Sequence, residues 1–311
     1  MSGADLTHIG LCGNPLKEEL QPAVATLRAI CEARGVTVLL HHDLARLLGA
    51  AASGLDARDL VARSQLIVAL GGDGTMLRAA RMIGETGRPL LGINLGSLGY
   101  LTDIPVDGLP GAIGRVLDGE YRLEARSRVH ARVWRGEAMV AEAAGLNDVV
   151  VNMGPLPRTL DLELRLGDVT LGRWLGDGVI FATAAGSTAY SLSAGGAICA
   201  PDVRGLLVTP ICPHSLGVRP LILGDDVDVE LVVREVGEGA TLTADGQVAT
   251  PLAEGDRLTC HLDRPLVNLV KFTDSSFFQI LRQKLHWGIA PSIRSNSRRH
   301  RTGYGSVDEG A

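Results

Sequence analysis

The sequence has no strong excess of charge of either sign and no long hydrophobic run. Its 311 residues include 30 Lys and Arg against 35 Asp and Glu, a formal net charge of -5. Nucleic-acid-binding domains are usually strongly basic, so this balance argues against a nucleic-acid partner. No stretch approaches the ~18–20 apolar residues of a membrane span, and Met1–Asp5 lack the basic start of a signal peptide. We therefore expect no membrane partner and a cytoplasmic location.

Cysteine is scarce, and familiar nucleotide-binding signatures are absent. The five cysteines are odd in number and include no C-x-x-C pair, which gives little support to a zinc site built from thiolates. Their apolar neighbours favour reduced thiols in the core. The sequence also lacks the G-x-x-x-x-G-K-S/T loop and the G-x-G-x-x-G fingerprint, which weakens P-loop and dehydrogenase hypotheses. The cysteines are Cys12, Cys31, Cys199, Cys212 and Cys260.

Continuous apolar runs alternate with helical patterns in the first third of the chain. Runs at residues 7–12, 36–40, 66–70 and 90–93 predict short strands that are buried on both faces. This order predicts an open, Rossmann-like α/β sheet, in which ligands bind at the carboxyl ends of parallel strands. Many of the 39 glycines cluster at such ends, notably at residues 71–74 and 92–99.

After Glu120 the pattern changes to alternation of apolar and polar residues. Leucines at every second position between Leu160 and Leu166 are typical of half-buried strands, and Asp245-Gly246 predicts a hairpin turn. Apolar residues at helical spacing from Phe277 to Leu285 predict a closing helix. The predicted domains are an α/β domain at 1–110, a β-rich ligand-binding and oligomerisation domain at 111–273, the closing helix at 274–290 and a disordered tail at 291–311.

The segment Gly71-Gly72-Asp73-Gly74-Thr75 joins a predicted strand to a predicted helix. Three glycines let the backbone turn tightly and expose amides at a helix N-terminus, which favours phosphate. An aspartate there repels phosphate unless it accepts a proton or helps to hold Mg²⁺. The alternative is a tight turn in which Asp73 caps the helix.

This loop resembles the signature shared by NAD kinases, diacylglycerol and sphingosine lipid kinases and, more loosely, phosphofructokinases. Three later segments narrow the choice: Asn147-Asp148, Asp177-Gly178 and the small-residue run from Gly186 to Gly196. Together with Thr209–Leu216 and Arg219-Pro220, they resemble a bacterial NAD kinase over nearly the whole chain. The resemblance implies ATP-dependent phosphorylation of the adenosine 2′-hydroxyl of NAD⁺, a divalent Mg²⁺ or Mn²⁺ ion, and a homodimer or homotetramer.

The resemblance also implies roles for individual residues. Asp73 matches the family's proton acceptor. Asn147 and Asp148 match residues that contact ribose or base, for which amide and carboxylate groups are suited. Asp177 matches a position near the nicotinamide. The remaining implied binding residues are Gly74 beside the ligand, Arg78 and Arg158 at the pyrophosphate, and Ala185, Thr188, Ala189, Tyr190, Ser191, Leu192, Ser193 and Gln247. Tyr190, within a loop of small residues, and Tyr100, after the glycines at 96–99, are candidates for stacking on a base.

The sequence departs from the family pattern at three places. Asp148 stands where Glu is commoner, and Ala184-Ala185 replaces Thr-Pro before the Gly-Ser-Thr run. Leu175 stands where several relatives carry Arg, which leaves the preference between NAD⁺ and NADH open. His41-His42, His130 and His214 fit neither a metal spacing nor a catalytic triad, so we expect them to be structural.

Two other functions remain open at this point. A diacylglycerol-type lipid kinase would share the first loop but would have little use for Asn147-Asp148 or the run from Gly186 to Gly196. A non-catalytic NAD sensor would keep the binding residues but would need no aspartate in the loop. The choice between ATP and polyphosphate as donor also stays open.

Overall fold

The fold is that of a computed structural model of the chain, and the structure describes residues 6–97, 99–154, 158–237, 239–264, 267–272 and 277–286. These residues form twenty strands in three sheets and seven α-helices. The predicted architecture is confirmed: an α/β domain, a mostly β domain and a helix near the C-terminus. No helix in the described ranges has the length and apolar character needed to cross a bilayer.

The first sheet has eight strands, and its centre is parallel. The strands are β1 (His8–Gly13), β2 (Thr37–His41), β3 (Gly54–Leu55), β4 (Leu66–Gly71), β5 (Leu90–Asn94), β6 (Ile104–Pro105), β7 (Arg122–Arg126) and β20 (Val267–Lys271). They lie in the order β3-β2-β1-β4-β5-β20-β7, with β6 also paired to β5. All residues of β4 and β5 are buried, as expected for strands covered on both faces.

Five helices cover the two faces of this sheet. They are α1 (Leu20–Ala33), α2 (His42–Leu47), α3 (Ala57–Arg63), α4 (Asp73–Ile83) and α5 (Leu109–Leu117). The apolar stripes of α1, α2 and α5 pack on one face, while α3 and α4 pack on the other. Because β1, β4 and β5 are parallel neighbours, their carboxyl ends lie at the same edge of the sheet. Helix α4 begins at this edge, directly after β4.

Two strands of the first sheet come from beyond residue 110. β20 pairs with β5 in parallel and with β7 in antiparallel orientation. The first sheet therefore crosses the boundary predicted at residue 110, because a segment near residue 270 supplies the strand next to β5. The local sequence pattern around β5 does not indicate a neighbouring strand that lies so far along the chain.

The second domain is a sandwich of two antiparallel sheets, ordered β15-β14-β13-β10-β17-β18 and β12-β11-β16-β19-β8-β9. Alternating apolar side chains of both sheets form one core that includes Val129, Leu162, Phe181 and Leu231. The strand bounds are β8 Val129–Arg135, β9 Ala138–Gly145, β10 Asp148–Met153, β11 Leu160–Leu166, β12 Val169–Gly176, β13 Gly178–Ala182, β14 Gly205–Ile211, β15 Leu221–Gly224, β16 Val229–Glu235, β17 Ala240–Ala244, β18 Val248–Leu252 and β19 Arg257–Leu262.

Strand β11 differs from the half-buried strand that its alternation predicts. Its polar residues Asp161 and Glu163 are buried along with the leucines. Arg173 of β12 binds Asp161, and Arg234 of β16 binds Glu163 at 2.7 Å. Ion pairs with flanking strands thus cover the polar face of β11, which alternation alone does not reveal.

Two short helices complete the described structure: α6 (Tyr190–Ser193) and α7 (Phe277–Leu285). The predicted tail at 291–311 lies outside the described residues. Four of the five cysteines are buried free thiols, as predicted, but Cys212 is exposed, contrary to the expectation of a core thiol. Cys212 has a positive φ of 44° in the turn after β14, so its side chain leaves the sheet core.

Candidate active site

Asp73 is the first residue of α4 and lies beneath the loop that follows β5. Its Oδ2 accepts a hydrogen bond from the Tyr100 amide at 2.8 Å. Its Oδ1 accepts from the amides of Leu101 and Thr102 at 3.0 and 3.1 Å and from the Thr102 hydroxyl at 3.0 Å. Asp73 is therefore held by a distant loop, in addition to its place in the predicted turn.

Two residues outside the predicted site set, Asn94 and Gly99, shape this loop. Asn94, at the end of β5, is buried and donates to the carbonyls of Ser97 at 2.6 Å and Thr102 at 3.3 Å. Gly99 lies against Asp73, and a Cβ at this position would collide with Asp73 Oδ1. The loop therefore requires glycine at position 99 to bring its amides onto the carboxylate. The glycine cluster at 92–99 was the signal in the sequence.

The surroundings of Asp73 are open on one side and cationic on another. A Cβ at Gly74 would meet no atom within 4 Å, which leaves room for a ligand against the backbone. Arg78 donates a hydrogen bond of 2.6 Å to the carbonyl of Gly13 at the end of β1. The Lys17 ammonium lies beside Gly96. This edge of the sheet thus joins one carboxylate to two cationic side chains, a pattern suited to a phosphorylated ligand.

The predicted hairpin at Asp245-Gly246 is confirmed, and its aspartate has an additional role. Asp245 and Gly246 have positive φ values of 50° and 62°, as the central residues of a type I′ turn require, and the Gln247 amide closes the turn on the Ala244 carbonyl at 3.1 Å. The buried Asp245 carboxylate accepts hydrogen bonds from the amides of Leu146, Asn147 and Asp148 at 2.8–3.3 Å. Asp245 therefore shapes the Asn147-Asp148 turn, a contact that sequence reasoning missed.

Asp148 and Asp245 are neighbouring buried carboxyl groups. Burial, and then the charge of Asp245, raises the pKa of Asp148 to about 7. Burial also raises the pKa of Asp245, although the three amides and Arg81 oppose that effect. Because Asp245 has compensating donors, we assign the proton of the pair to Asp148 at acidic pH.

Contacts across the two domains place the Asn147 turn near α4. Arg81 of α4 donates to Gln247 Oε1 at 2.8 Å and to the Ala244 carbonyl at 3.3 Å. Leu146 is buried in the same apolar cluster as Met76 of α4 and Leu101 beside Asp73. The predicted site residues Asn147, Asp148 and Gln247 therefore lie where the second domain packs on the Asp73 helix.

The run from Ala185 to Ser193 lies next to this turn. The Thr183 amide donates to the Asn147 carbonyl at 2.9 Å. Ala185 and Thr188 line a small cavity together with Tyr100 and Leu101 of the Asp73 loop. Tyr190 is 45% exposed, which leaves its ring available to a ligand. Ser191 is different: its hydroxyl is buried and lies 2.8 Å from the Thr209 hydroxyl, so its side chain supports the segment from within.

Tyr100 lies between the Asp73 loop and α7. The Lys284 ammonium lies 4.3 Å from the centroid of its ring, and the Phe277 ring lies 6.4 Å away. Tyr100 and Phe277 also line a cavity of about 580 Å³ between the domains. Lys271 and Asp103 also line this cavity and form a buried ion pair of 2.9 Å with each other. The sequence did not predict this ion pair.

Two predicted site residues lie elsewhere. Asp177 precedes β13, whose first residue pairs with Asn152, while its last residue, Ala182, pairs with Asp148. Asp177 lies opposite Met153, six residues along the chain from Asn147, and is therefore roughly 20 Å from the Asn147 turn. Arg158 lies near the same far end, beside Gly237. The fold separates both from the rest of the predicted set.

Comparison with known proteins identifies the family. Residues 9–121 match the ATP-NAD kinase N-terminal domain, and residues 146–270 match the ATP-NAD kinase C-terminal domain. The NAD kinase of Desulforamulus reducens is 37% identical over 280 residues, which cover 90% of this chain and 97% of that protein. The NAD kinase of Acidobacterium capsulatum is 38% identical over 91% of this chain and 99% of that protein.

Solved structures agree with the sequence comparisons. Yeast NADH kinase complexed with NADH superimposes with a TM-score of 0.85 at 26% identity, covering 93% of this chain and 90% of that one. An NAD kinase from Archaeoglobus fulgidus in complex with ATP shares the fold, with a TM-score of 0.72 at 24% identity over 90% of this chain and 99% of that one. With two domain matches in order and relatives similar over nine-tenths of its length, the chain belongs to the NAD kinase family.

Proposed function

We propose that this chain transfers the γ-phosphoryl group of ATP to the adenosine 2′-hydroxyl of NAD⁺, with Asp73 as the proton acceptor. The 2′-oxygen forms a bond to the γ-phosphorus, the bond from that phosphorus to the β,γ-bridging oxygen breaks, and ADP leaves. The hydroxyl proton passes to Asp73. The observation that carries this proposal is the carboxylate fixed by four hydrogen bonds at the open edge of the parallel sheet.

The two carboxylate oxygens of Asp73 differ in the number of hydrogen bonds that they accept. Oδ1 accepts from three donors, whereas Oδ2 accepts only from the Tyr100 amide among the described residues. A carboxylate oxygen has two lone pairs in its plane, so Oδ2 retains the capacity for one more contact. We therefore assign Oδ2 as the oxygen that meets the 2′-hydroxyl.

The start of α4 and the nearby cations fit the transferred phosphate. The first amides of a helix have no partner within the helix and carry partial positive charge. Arg78 and Lys17 add full charges at the same edge. A divalent ion such as Mg²⁺ fits here when it is held mainly by the substrate phosphates and water, because the one free acceptor position of Asp73 is assigned to the 2′-hydroxyl. When bound, it would neutralise phosphate charge.

The dinucleotide fits the region where Asp73, the Asn147 turn and the run from Ala185 to Ser193 converge. The exposed Tyr190 ring offers a stacking face for adenine, and Asn147 offers an amide for ribose or base. Asp148 is buried at the same turn, so only a small part of its side chain is open to the ligand.

We propose a homo-oligomer, as the family resemblance implies. Asp177 and Arg158 lie at the far end of the β sandwich from the Asn147 turn, so they meet the same ligand only across a subunit boundary. Exposed apolar side chains support such a boundary: Val203, and Leu221 and Ile222 on the edge strand β15. The buried free thiols are consistent with the reducing cytoplasm predicted from the sequence.

A matrix of donors and acceptors tests the proposed reaction. Labelled ATP or polyphosphate is incubated with NAD⁺, NADH or diacylglycerol, and the labelled product is identified. We expect label in NADP⁺ with ATP and NAD⁺ as substrates. Label only in the lipid would identify a lipid kinase. Tight NAD⁺ binding without label transfer in any combination would identify a sensor.

A further inference from the structure

A second group of ligand-type side chains lies outside the cleft, on the sheet that carries β8 and β19. His130 of β8 and His261 of β19 are direct cross-strand partners, with ring centroids 5.0 Å apart. Asp263 follows β19 by one residue. We propose that His130, His261 and Asp263 form a binding site for a zinc-class divalent cation, separate from the phosphoryl-transfer site.

The distances between donor atoms fit one ion. His261 Nε2 lies 3.6 Å from Asp263 Oδ1, and His130 Nδ1 lies 4.0 Å from the same oxygen. All three donor atoms lie within 4.8 Å of one another. Tetrahedral Zn²⁺ with bonds of about 2.0–2.1 Å separates its ligands by roughly 3.4 Å, so small side-chain rotations bring these atoms onto one ion. Water would take the fourth position.

The hydrogen bonds around His130 direct a lone pair toward this point. His130 Nε2 lies 2.9 Å from Glu142 Oε1, a contact that assigns the ring proton to Nε2. His130 Nδ1 is then an acceptor, and it is buried without a hydrogen-bond partner among the described residues. A buried polar atom without a partner costs free energy, and a bound cation would remove that cost. Sequence spacing missed this site because its residues meet only across strands.

The groups behind the ligands are those that zinc sites use. Glu142, 2.9 Å from Nε2, fixes the orientation of His130, whereas the exposed Asp228 lies 3.9 Å from His261 Nδ1, beyond hydrogen-bond distance. Arg128 binds Asp263 Oδ2 at 2.9 Å, which leaves Oδ1 for a cation. Around the rings, four carboxylates face two guanidinium groups: Glu85, Glu142, Asp228 and Asp263 against Arg128 and Arg132.

The site lies where the chain leaves the second domain. Asp263 donates its amide to the Arg128 carbonyl at 2.9 Å, shortly before β20 enters the first sheet. A bound ion would therefore tie β8 and β19 to the connection between the two domains. This predicts that the metal raises thermal stability, because it binds the folded chain and the unfolded chain lacks the assembled ligands.

Cobalt spectroscopy of the full-length protein tests the site without relying on activity. Chelator-treated protein is titrated with Co²⁺, and we expect one equivalent to give the intense visible bands of a tetrahedral ion, lost when Zn²⁺ is added. His261→Asn abolishes these bands. Glu142→Gln, which keeps all three ligands but removes the carboxylate behind His130 and its ion pair with Arg132, weakens Co²⁺ binding by about 10–100-fold. His42→Asn, at an exposed histidine beside Asp43, is the matched control and leaves binding unchanged.

Thermal unfolding supplies the second measurement. One equivalent of Zn²⁺ raises the Tm of the wild-type chain but not that of His261→Asn. Absence of tetrahedral bands, or bands retained in His261→Asn, overturns the proposal, as does loss of the bands in His42→Asn. If His261→Asn does not fold, Glu142→Gln decides the matter, and unchanged Co²⁺ affinity in that variant contradicts the site.

Discussion

Thr102 donates two hydrogen bonds to Asp73, from its amide at 3.1 Å and from its hydroxyl at 3.0 Å, both to Oδ1. The two residues are 29 positions apart. One loop thus fixes the orientation of the carboxylate and leaves Oδ2 with one donor among the described residues, the Tyr100 amide. The arrangement separates two functions of one side chain: Oδ1 anchors the loop, and Oδ2 is assigned to the substrate.

Replacing the carboxylate tests its role in proton transfer. We expect Asp73→Asn to lower kcat by ~10²-fold or more, while NAD⁺ affinity stays within a few-fold of wild type. The matched control is Thr102→Val, which removes one donor to Oδ1 but keeps the carboxylate, and whose kcat should fall far less. Steady-state kinetics and NAD⁺ titration measure both. Equal turnover of Asp73→Asn and wild type would remove Asp73 from the mechanism.

Substitution at Gly99 tests the close contact between the loop and Asp73. A Cβ at Gly99 would overlap Asp73 Oδ1, so Gly99→Ala must displace either the loop or the carboxylate. We expect kcat to fall by about 10²-fold, since misplacement of about 1 Å has that cost. Gly111→Ala in α5 is the control, because a Cβ there meets no atom within 4 Å. A Gly99→Ala variant with wild-type kcat would show that the loop does not position Asp73.

Substitution at Tyr190 tests the stacking assignment. Tyr190→Ala removes the ring, and we expect the KM for NAD⁺ to rise by about 5–150-fold, the equivalent of a stacking contribution of about 1–3 kcal/mol. Because Tyr190 is 45% exposed, the Tm should change little. Tyr190→Phe retains the ring and should stay close to wild type. A similar rise in KM for Tyr190→Phe would assign the effect to the hydroxyl.

Asp148 predicts a specific dependence of stability on pH. Its pKa is about 7 in the folded protein, raised by burial and then by Asp245, against 3.8 as its ordinary value. The folded state therefore binds this proton more tightly than the unfolded state does. The stabilisation that comes from protonated Asp148 is fully present below about pH 4 and is lost as the pH rises through about 7. The free energy of unfolding falls by at most about 4 kcal/mol over this range.

Urea unfolding across this pH range checks the prediction. The free energy of unfolding of the wild-type chain should fall between about pH 4 and about pH 7. Asp148→Asn is neutral at every pH and should fall less steeply, so above pH 7 it should be more stable than wild type. Parallel curves for the two proteins would show that Asp148 does not hold the raised pKa.

Sequence patterns predicted the parts of the structure that depend on neighbours along the chain. The strand at 66–70, the turn at Asp73 and the hairpin at Asp245-Gly246 were all found, because apolar runs and glycine positions specify them locally. The partners of those aspartates were not found. Asp73 binds a loop 27–29 residues away, and Asp245 binds amides 97–99 residues away, distances at which only the tertiary fold selects a partner.

The same limit explains the pairing of β20 and the separation of Asp177. Nothing in the sequence near Leu269 indicates that it pairs with Leu90. The family resemblance implies that Asp177 and Asn147 contact the same ligand. Within one chain, however, they lie at opposite ends of strand β13. The types and order of the residues thus predict the family and its reaction. Strand pairing determines which of those residues lie close together within one subunit.

A crystal structure of the wild-type chain with NAD⁺ tests the central claim most directly. The account predicts the adenosine 2′-oxygen within about 2.6–3.2 Å of Asp73 Oδ2, with adenine against Tyr190. An adenosine ribose bound elsewhere, for example at the far end of the β sandwich beside Asp177 of the same chain, would contradict it.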